Sequence, residues 1–600
     1  MNNIFKDIKT FFRTIIQLQR LLSHKQRIRA IGVFFLTFLG AAFETLGVAA
    51  ILPFISAIMS PSVLRENQYI KWVISSFTIE NDNNLIVFLG IIISIVYLFK
   101  NVFLIFVSYA EAKFRTSFVY ELSKMMMHSY LKRPYVYFLD TNSAEMMRGI
   151  TDDINSASEL IAAIFKICSV CLMIIGIGFF LIFQDPFMAT GIMILALTMF
   201  AIIVLTVKKK TKELGILKLE LATKANKYAY QAFNGIKEIT IMKREDYFLR
   251  SYIDVTAKKK KADVTYACIS TSPERIIEAV FLTGIIALVC FQVETGKLSA
   301  SFIPNLATFA IGAMRILPSL STLTTRMTQI MYLRPALAGI CDNVEAARKQ
   351  ELQILKNQNK ANISDKSISF KDTISLNNVS WKYPNSTVHI LENASMEIKR
   401  GESVALVGKS GAGKTTLADI ILGLLEPELG SALLDGVDIF SIPQSWCKLI
   451  GYVPQTVYLI DDTIRNNVSF GIPSEEVMDI QIWNALEKAQ LRNFVESLPE
   501  QLDTVIGERG VKFSGGQRQR VAIARALYQD PEILIFDEAT AALDSETEQA
   551  VMEAIDALQG HKTLIIIAHR LNTIHQCDRF FEVEDKKIIE KSKDEVLGLC

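Results

Sequence analysis

Residues 404–416 read VALVGKSGAGKTT, and the second half of the chain is decided by them. VALV (404–407) is a short apolar run of buried-strand type, and TTLADIILGLL (415–425) has the length and apolar spacing of a helix. Between them Gly408, Lys409, Ser410, Gly411, Ala412, Gly413, Lys414, Thr415 and Thr416 contain the phosphate-binding pattern G-x-x-x-x-G-K-[ST]. Glycines let the backbone curl until its N–H groups converge on phosphate oxygens. The helix that follows presents the positive end of its dipole to the same anion. Lys414 supplies a point charge, and the Thr415 hydroxyl is a ligand for Mg²⁺. ATP and Mg²⁺ are the cofactors this loop implies.

Downstream, ILIFDEAT (533–540) is an apolar strand ending in two carboxylates with different expected tasks. Asp537, at the strand end, suits a metal ligand, direct or through water, and Glu538 suits a group that polarises an attacking water. Phe513-Ser514-Gly515-Gly516-Gln517 precedes the helical stretch RQRVAIARAL (518–527), which makes a second anion-binding helix start. One domain cannot bring both helix starts to opposite sides of one γ-phosphate. The expected geometry is therefore two domains face to face, each completing the other's site.

Upstream the composition changes. The chain has 600 residues, half of them hydrophobic, with a net charge of +2. The length asks for at least two domains, and the charge gives no reason to expect nucleic acid as a partner. Eight cysteines are scattered singly, which suits a reducing compartment better than a disulfide framework. A membrane core of ~30 Å needs ~20 apolar residues as a helix. Six segments meet that length: about 31–59, 85–109, 160–183, 187–207, 275–292 and 302–322.

The polar stretches 110–159 and 208–274 carry Lys113, Arg115, Lys124 and Arg133, then Lys208–Lys210 and Lys258–Lys261. The loops on the opposite side carry only Arg65, Lys71 and Lys297. The positive-inside bias places the long stretches and both termini in the cytosol. Those stretches are read as extensions of the membrane helices. Segments 133–153 and 234–252 hold short elements able to dock on the second domain, or to remain solvated loops. Residues 4–16 place Phe5, Ile8, Phe12 and Ile15 on one helical face, as in a helix lying on the membrane surface or packed on protein.

In the sixth segment Thr308, Gly312, Arg315, Ser319, Thr322, Arg326 and Gln329 recur at steps of four and three, one polar stripe on a helix. Arg315 falls within the bilayer span, where a cation needs a partner or a wet cavity. Arg315, Arg326 and Arg275 are candidate contacts for an anionic substrate group. Pairing with Glu44 or Glu278, or reaching to the interface, is the structural alternative.

Together these residues resemble the ATP-binding cassette family, in particular bacterial exporters in which a membrane domain is fused to the ATPase. The resemblance covers nearly the whole chain. It implies a multidomain fold: an all-α transmembrane domain of six helices plus an α/β P-loop ATPase domain. The divisions are an interfacial helix at 1–30, the transmembrane domain at 31–344, a linker at 345–370 and the ATP-binding domain at 371–600. It further implies that Tyr383 in WKYP stacks on adenine, and that Gln455 in GYVPQ senses Mg²⁺ and water. Glu508 in GERG marks a loop that meets the cytosolic loops.

Ser514, Gly515, Gly516 and Gln517 match the signature LSGGQ, with Phe513 in place of Leu. Asp544 in AALD matches a dimer-contact loop, though Ala541 stands where Ser is usual. His569 in AHR matches the switch histidine at the γ-phosphate. By the same resemblance Glu538, His569, Gln455 and Lys414 carry catalysis, while Thr415, Gln455 and Asp537 hold the metal.

No catalytic position is degenerate, so two copies make two competent sites. A homodimer is the simplest unit, and a pair with a related half-transporter is the alternative. FETLGVAAILPFI (43–55), YFLDTNSAEMMRGITDDI (137–154) and GAMRILPS (312–319) resemble flippases of lipid-linked oligosaccharides. The expected substrate is an amphipathic, anionic lipid-linked molecule, moved across the cytoplasmic membrane. A general lipid, drug or peptide exporter is the second reading, and an ATPase that gates rather than transports is a third.

Overall fold

A computed structural model describes residues 2–59, 82–184, 186–294, 302–361, 368–538, 545–567 and 574–597; some helical side chains within these, Arg315 among them, lie outside the description. The chain divides into two compact units, residues 1–133 with 141–352, and residues 134–140 with 353–600.

The first unit is helical. It contains α1 (Asn2–Leu21), α2 (His24–Met59), α3 (Asp82–Leu131), then, beyond the segment assigned to the second unit, α5 (Ser143–Ile150), α6 (Asp152–Gln184), α7 (Pro186–Asn234), α8 (Ile236–Met242), α9 (Glu245–Glu294) and α10 (Phe302–Ala361), whose last residues from Gln353 belong to the second unit. The helix α4 (Tyr135–Asp140) belongs to the second unit.

Local chemistry sets several boundaries. Ser23 and Gln26 exchange side-chain bonds with each other's backbone N–H, a capping box that starts α2. Pro186 opens α7, where its missing N–H is not needed. Among the described residues, four helices are long and apolar enough to cross a membrane: His24–Gly47, Asn83–Leu131, Ser143–Ile182 and Ala189–Asn234. The fifth and sixth expected spans are helical in α9 and α10, but many of their side chains fall outside the description. The long polar stretches continue the apolar ones as expected: α3 has 50 residues, α7 has 49 and α9 has 50.

Inside this unit Ile177 and Leu181 of α6, Ala196 of α7, Ile277 of α9 and Ile316 of α10 share one core. Outward, α3 leaves Leu98, Val102 and Ile105 exposed at about one-turn spacing. An apolar stripe of that length on a helix suits contact with hydrocarbon.

The linker expected at 345–370 begins as helix, because α10 runs on to Ala361. Glu345 pairs with Lys349 one turn on, and Val344 and Ala347 are buried, so helical packing outlasts the apolar pattern. The contiguous 31–344 domain is also interrupted, since 134–140 joins the second unit.

The second unit is built on two sheets. An antiparallel sheet runs β2 (Leu391–Lys399), β1 (Thr373–Trp381), β4 (Leu429–Leu434), β5 (Val437–Asp438). A six-stranded sheet has the order β10-β9-β3-β8-β7-β6. Its strands are β3 (Ser403–Val407), β6 (Ile450–Val453), β7 (Ile533–Asp537), β8 (Thr563–Ile567), β9 (Arg579–Glu584) and β10 (Lys587–Lys591). All neighbours in it are parallel except β9 and β10. Alternation along β7 sends Leu534 and Phe536 into one core and Ile533 and Ile535 into the other. A parallel sheet buried on both faces keeps its polar residues for its ends, and its carboxyl edge is where the chemistry gathers.

Candidate functional site

The phosphate-binding loop leaves the end of β3 and enters α11 (Lys414–Ile421). Two glycines are required by position. Gly408 has φ +137°, and a Cβ there would lie 2.6 Å from the Val583 carbonyl oxygen. Gly413 has φ +109° and would press a Cβ to 2.9 Å from Ile390. No other residue type fits both the space and the dihedral. Lys414 is buried, and its Nζ donates to the carbonyls of Gly408 at 2.7 Å and Lys409 at 3.0 Å. Burial lowers its pKa, and the charges of Glu538 and Asp537 work against that fall. Thr415 is exposed at the first turn, while Thr416 turns into the core.

β8 lies between β3 and β7, so Asp537 arrives on the same edge of the sheet as the loop. Asp537 is buried and accepts from the Tyr452 hydroxyl at 3.4 Å. Glu538 has φ +46°, a left-handed conformation costly for a residue with a side chain. Its N–H is fixed to the Ile567 carbonyl at 2.9 Å, and its Oε2 accepts from Gln455 Nε2 at 2.6 Å. The left-handed turn thus brings the Glu538 carboxylate to Gln455. A cradle that only glycine fills, a buried lysine, an exposed threonine hydroxyl and a strand-end aspartate fit a magnesium-bound nucleotide triphosphate.

Two neighbours of this edge carry no sequence signal. Asp419, on α11, has its carboxyl pushed up to about 6 by burial and by the charge of Asp537. The Tyr452 phenol is raised by burial and then by the charges of Asp537 and Asp419. Both residues match ordinary core positions of a helix and a strand, and only the fold brings them beside Asp537.

Ser514 caps α12 (Gly515–Leu527), its Oγ accepting from the Gln517 N–H while Gln517 Oε1 accepts from the Ser514 N–H. This reciprocal cap leaves the N–H groups of Gly515 and Gly516 at the helix start for an anion. Phe513 is buried edge-to-face on Phe494 with ring centroids 5.5 Å apart. Tyr383 is 41% exposed and stacks edge-on against Trp381. Beside it Asn385 donates to Asp140 of α4 at 2.7 Å, and Val136 of α4 packs on the core below. Asp544 and His569 lie outside the described residues.

Of the three arginines singled out in the helical unit, Arg275 pairs with Glu278 at 3.2 Å, one of the structural alternatives. Arg326 donates to Gln329 at 2.7 Å, and Gln329 reaches Glu159 of α6 at 3.3 Å. The lower part of the polar stripe therefore joins helices together. The Arg315 side chain lies outside the description. Sequence reading missed Lys100, which sits in the middle of the second span. It is buried against Gly47 of α2, with its ammonium 4.4 Å from the Tyr97 ring centre. The signal was available: it interrupts the apolar run 85–109.

Comparison with known proteins bears on the whole chain. A family model described as ABC transporter matches residues 391–541, and one described as ABC transporter transmembrane region matches 26–310. The ATP-dependent lipid A-core flippase of Salmonella typhimurium is 31% identical over 463 residues, 76% of this chain and 77% of that protein. The heterocyst differentiation ATP-binding protein HepA of Nostoc sp. is 28% identical over 98% of this chain and 95% of its own length. A solved structure of a bacterial Atm1-family ABC exporter with ATP bound superposes with a TM-score of 0.74. It covers 96% of each chain at 22% identity.

Proposed function

The chain belongs to the ABC transporter family, as a membrane-spanning exporter whose ATPase domain binds and hydrolyses ATP, and from that premise we propose that two copies form a flippase for an anionic lipid-linked oligosaccharide. The observation that carries the catalytic part is the conjunction on one sheet edge: the loop 408–416, Asp537, and Glu538 held by Gln455 at 2.6 Å. Lys414 and the loop N–H groups hold the β- and γ-phosphates. Thr415, Asp537 and Gln455 hold Mg²⁺, which when bound neutralises charge on the phosphates. Glu538 orients and polarises the water, His569 meets the γ-phosphate, and Tyr383 stacks on adenine. Ser514, Gly515, Gly516 and Gln517 of one copy close over the nucleotide of the other, with Asp544 at the seam.

Closure of the two ATPase domains is passed to the helices by short elements between the long ones. In α8, Ile236, Ile241 and Met242 are exposed, an apolar surface suited to the partner's ATPase domain. Hydrolysis then separates the domains by placing repelling phosphates between them, and the helices return. The two ends of the cycle are linked equilibria, so substrate on the membrane side feeds back on nucleotide affinity. The membrane is the cytoplasmic one, with the N-terminus and the ATPase domain in the cytosol, a placement supported by the basic residues at 113–133, 208–210 and 258–261.

The lipid character of the substrate is supported by the relatives named as lipid A-core flippases and by the resemblance of the segments around Glu44, Asp140 and Arg315. Sealed proteoliposomes test it with a fluorescent lipid-linked oligosaccharide, a fluorescent phospholipid and a lipophilic dye. ATP-dependent movement of the first above the other two, abolished by Arg315→Ala with basal ATPase retained, is the expected result. Equal movement of all three makes the protein a general exporter, and hydrolysis without any movement makes it a gate.

A further inference from the structure

A cavity of about 260 Å³ lies in the helical unit, lined by residues of α5, α6, α7, α9 and α10. On α6, Asp152, Asn155, Ser156 and Glu159 line it at positions i, i+3, i+4 and i+7, one face of a helix. Arg148 of α5, Lys218 of α7 and Lys259 of α9 line it from three other helices. With Asp153, the described lining carries three carboxylates and three cations. Charge is therefore balanced across the cavity, and polar side chains dominate its walls.

Several of these groups are held in place. Arg148 donates to Asp153 at 3.3 Å and to the Thr223 hydroxyl. The Tyr332 hydroxyl donates to Asp263 at 2.9 Å, and its ring stacks on Tyr266 with centroids 3.7 Å apart. The Lys218 ammonium lies 4.8 Å from the centre of the same ring. Walls fixed in advance lose little order when a ligand arrives. A ligand with a net charge would meet as many like charges here as opposite ones. A sugar hydroxyl both donates and accepts, so it pairs with carboxylates, amides and ammonium groups alike. Pockets for whole ligands measure about 300–1,000 Å³. This smaller cavity suits one part of a larger molecule.

The polar stripe of α10 leads into the cavity. Its alternating steps of four and three carry on from Gln329 to Leu333 and Ala336, both in the cavity wall. Gln329 also donates to the lining residue Glu159 at 3.3 Å. Arg315 stands seventeen residues before Tyr332, ~25 Å along a helix at 1.5 Å per residue. We propose that this cavity holds neutral sugar residues of the lipid-linked substrate, while the anionic linkage lies further along the same stripe. Sugar hydroxyls donate to Asp152 and Glu159 and accept from Asn155, Lys218 and Lys259. A sugar site of this kind rests on the substrate reading given above, and adds to it a place for the headgroup.

Fluorescence anisotropy of the detergent-solubilised full-length protein, without ATP, reads the binding directly. It compares a fluorescent lipid-linked oligosaccharide with the same labelled carrier bearing its phosphate but no sugar. The sugar-bearing lipid is expected to bind at least about tenfold more tightly, the weight of one hydrogen bond to a charged group. Asn155→Leu combined with Lys259→Met should remove most of that advantage and leave affinity for the sugar-free carrier unchanged, a split that a general loss of packing would not produce. Lys224→Gln, at an exposed pair with Glu220 outside the cavity lining, keeps the advantage. If the double variant does not fold, Ala222→Phe, which fills the cavity without touching its charge, must remove the advantage instead. Equal binding of the two lipids by the wild type, or an advantage that survives these variants, overturns the sugar site. The flippase reading fails on a different result, when ATP drives no preferential movement of the oligosaccharide lipid in vesicles, so the two failures are told apart.

Discussion

At the scale of single residues the site depends on a few backbone and side-chain constraints. Glu538 sits in a left-handed turn with its carboxylate on Gln455, the pose from which it is proposed to act on water. Glu538→Gln keeps the size and the hydrogen bond but removes the negative charge. ATP binding is expected to persist while turnover falls by about 10²–10⁴, the usual weight of a general base. Equilibrium binding and single-turnover hydrolysis measured on the same preparation separate the two effects.

A second residue shows a structural use of charge. Asp435 turns the chain between β4 and β5 and accepts from the N–H groups of Lys371, Asp372 and Thr373. Burial raises its pKa, but the three backbone donors outweigh that and hold it below its ordinary 3.8. Its contribution is therefore complete above that value and is lost as pH falls through the lowered one. Asp435→Asn should destabilise the nucleotide-binding unit by about 1–2 kcal/mol near neutrality. In thermal unfolding of the full-length protein, the gap from wild type should narrow below pH 3.8.

At the scale of elements, sequence periodicity was a good guide to what is helix and a poor one to where helices meet. The phosphate-binding loop, the strand before Asp537 and the cap at Ser514 could all be read from local pattern, because each is fixed within about ten residues. The closeness of Asp419 and Tyr452 to Asp537 could not, since it depends on which strands are neighbours in the sheet. The helical start of the stretch read as a linker at 345–370 was not legible, because apolar periodicity fades after residue 344 while pairing and packing carry α10 to Ala361. Arg326 was read as part of a substrate stripe; its bond is to Gln329 of the same helix, and it is Gln329 that reaches Glu159 of α6.

The close approach of α7 and α10 was equally silent. A Cβ on Gly215 would lie 2.3 Å from the backbone oxygen of Tyr332. Backbone cannot yield as a side-chain tip can, so Gly215→Ala must push the two helices apart. We expect a loss of about 1–3 kcal/mol, as for other overpacked contacts. Gly191→Ala, at a glycine with nothing within 4 Å, serves as the control. Thermal unfolding of the detergent-solubilised protein compares the two, and equal stability would contradict this close approach.

At the scale of the whole molecule, each chain carries one phosphate-binding loop and one capped signature helix, each expected to serve a different nucleotide. In the proposed arrangement the phosphate-binding loop acts in its own chain, while Ser514 acts on the nucleotide of the other. On that proposal two copies are the smallest unit able to hydrolyse ATP, and movement of the membrane helices follows from the two copies closing.

That arrangement is tested most directly by complementation between two inactive variants. Lys414→Ala destroys a chain's own phosphate grip, and Ser514→Arg destroys what it offers to its partner. Co-assembled, the two variants leave one site with both parts intact. The account predicts that each variant alone lacks ATPase activity and that the mixed assembly recovers a measurable part of it. A mixture as inactive as its parents, when mixed dimers are shown to have formed, would contradict it.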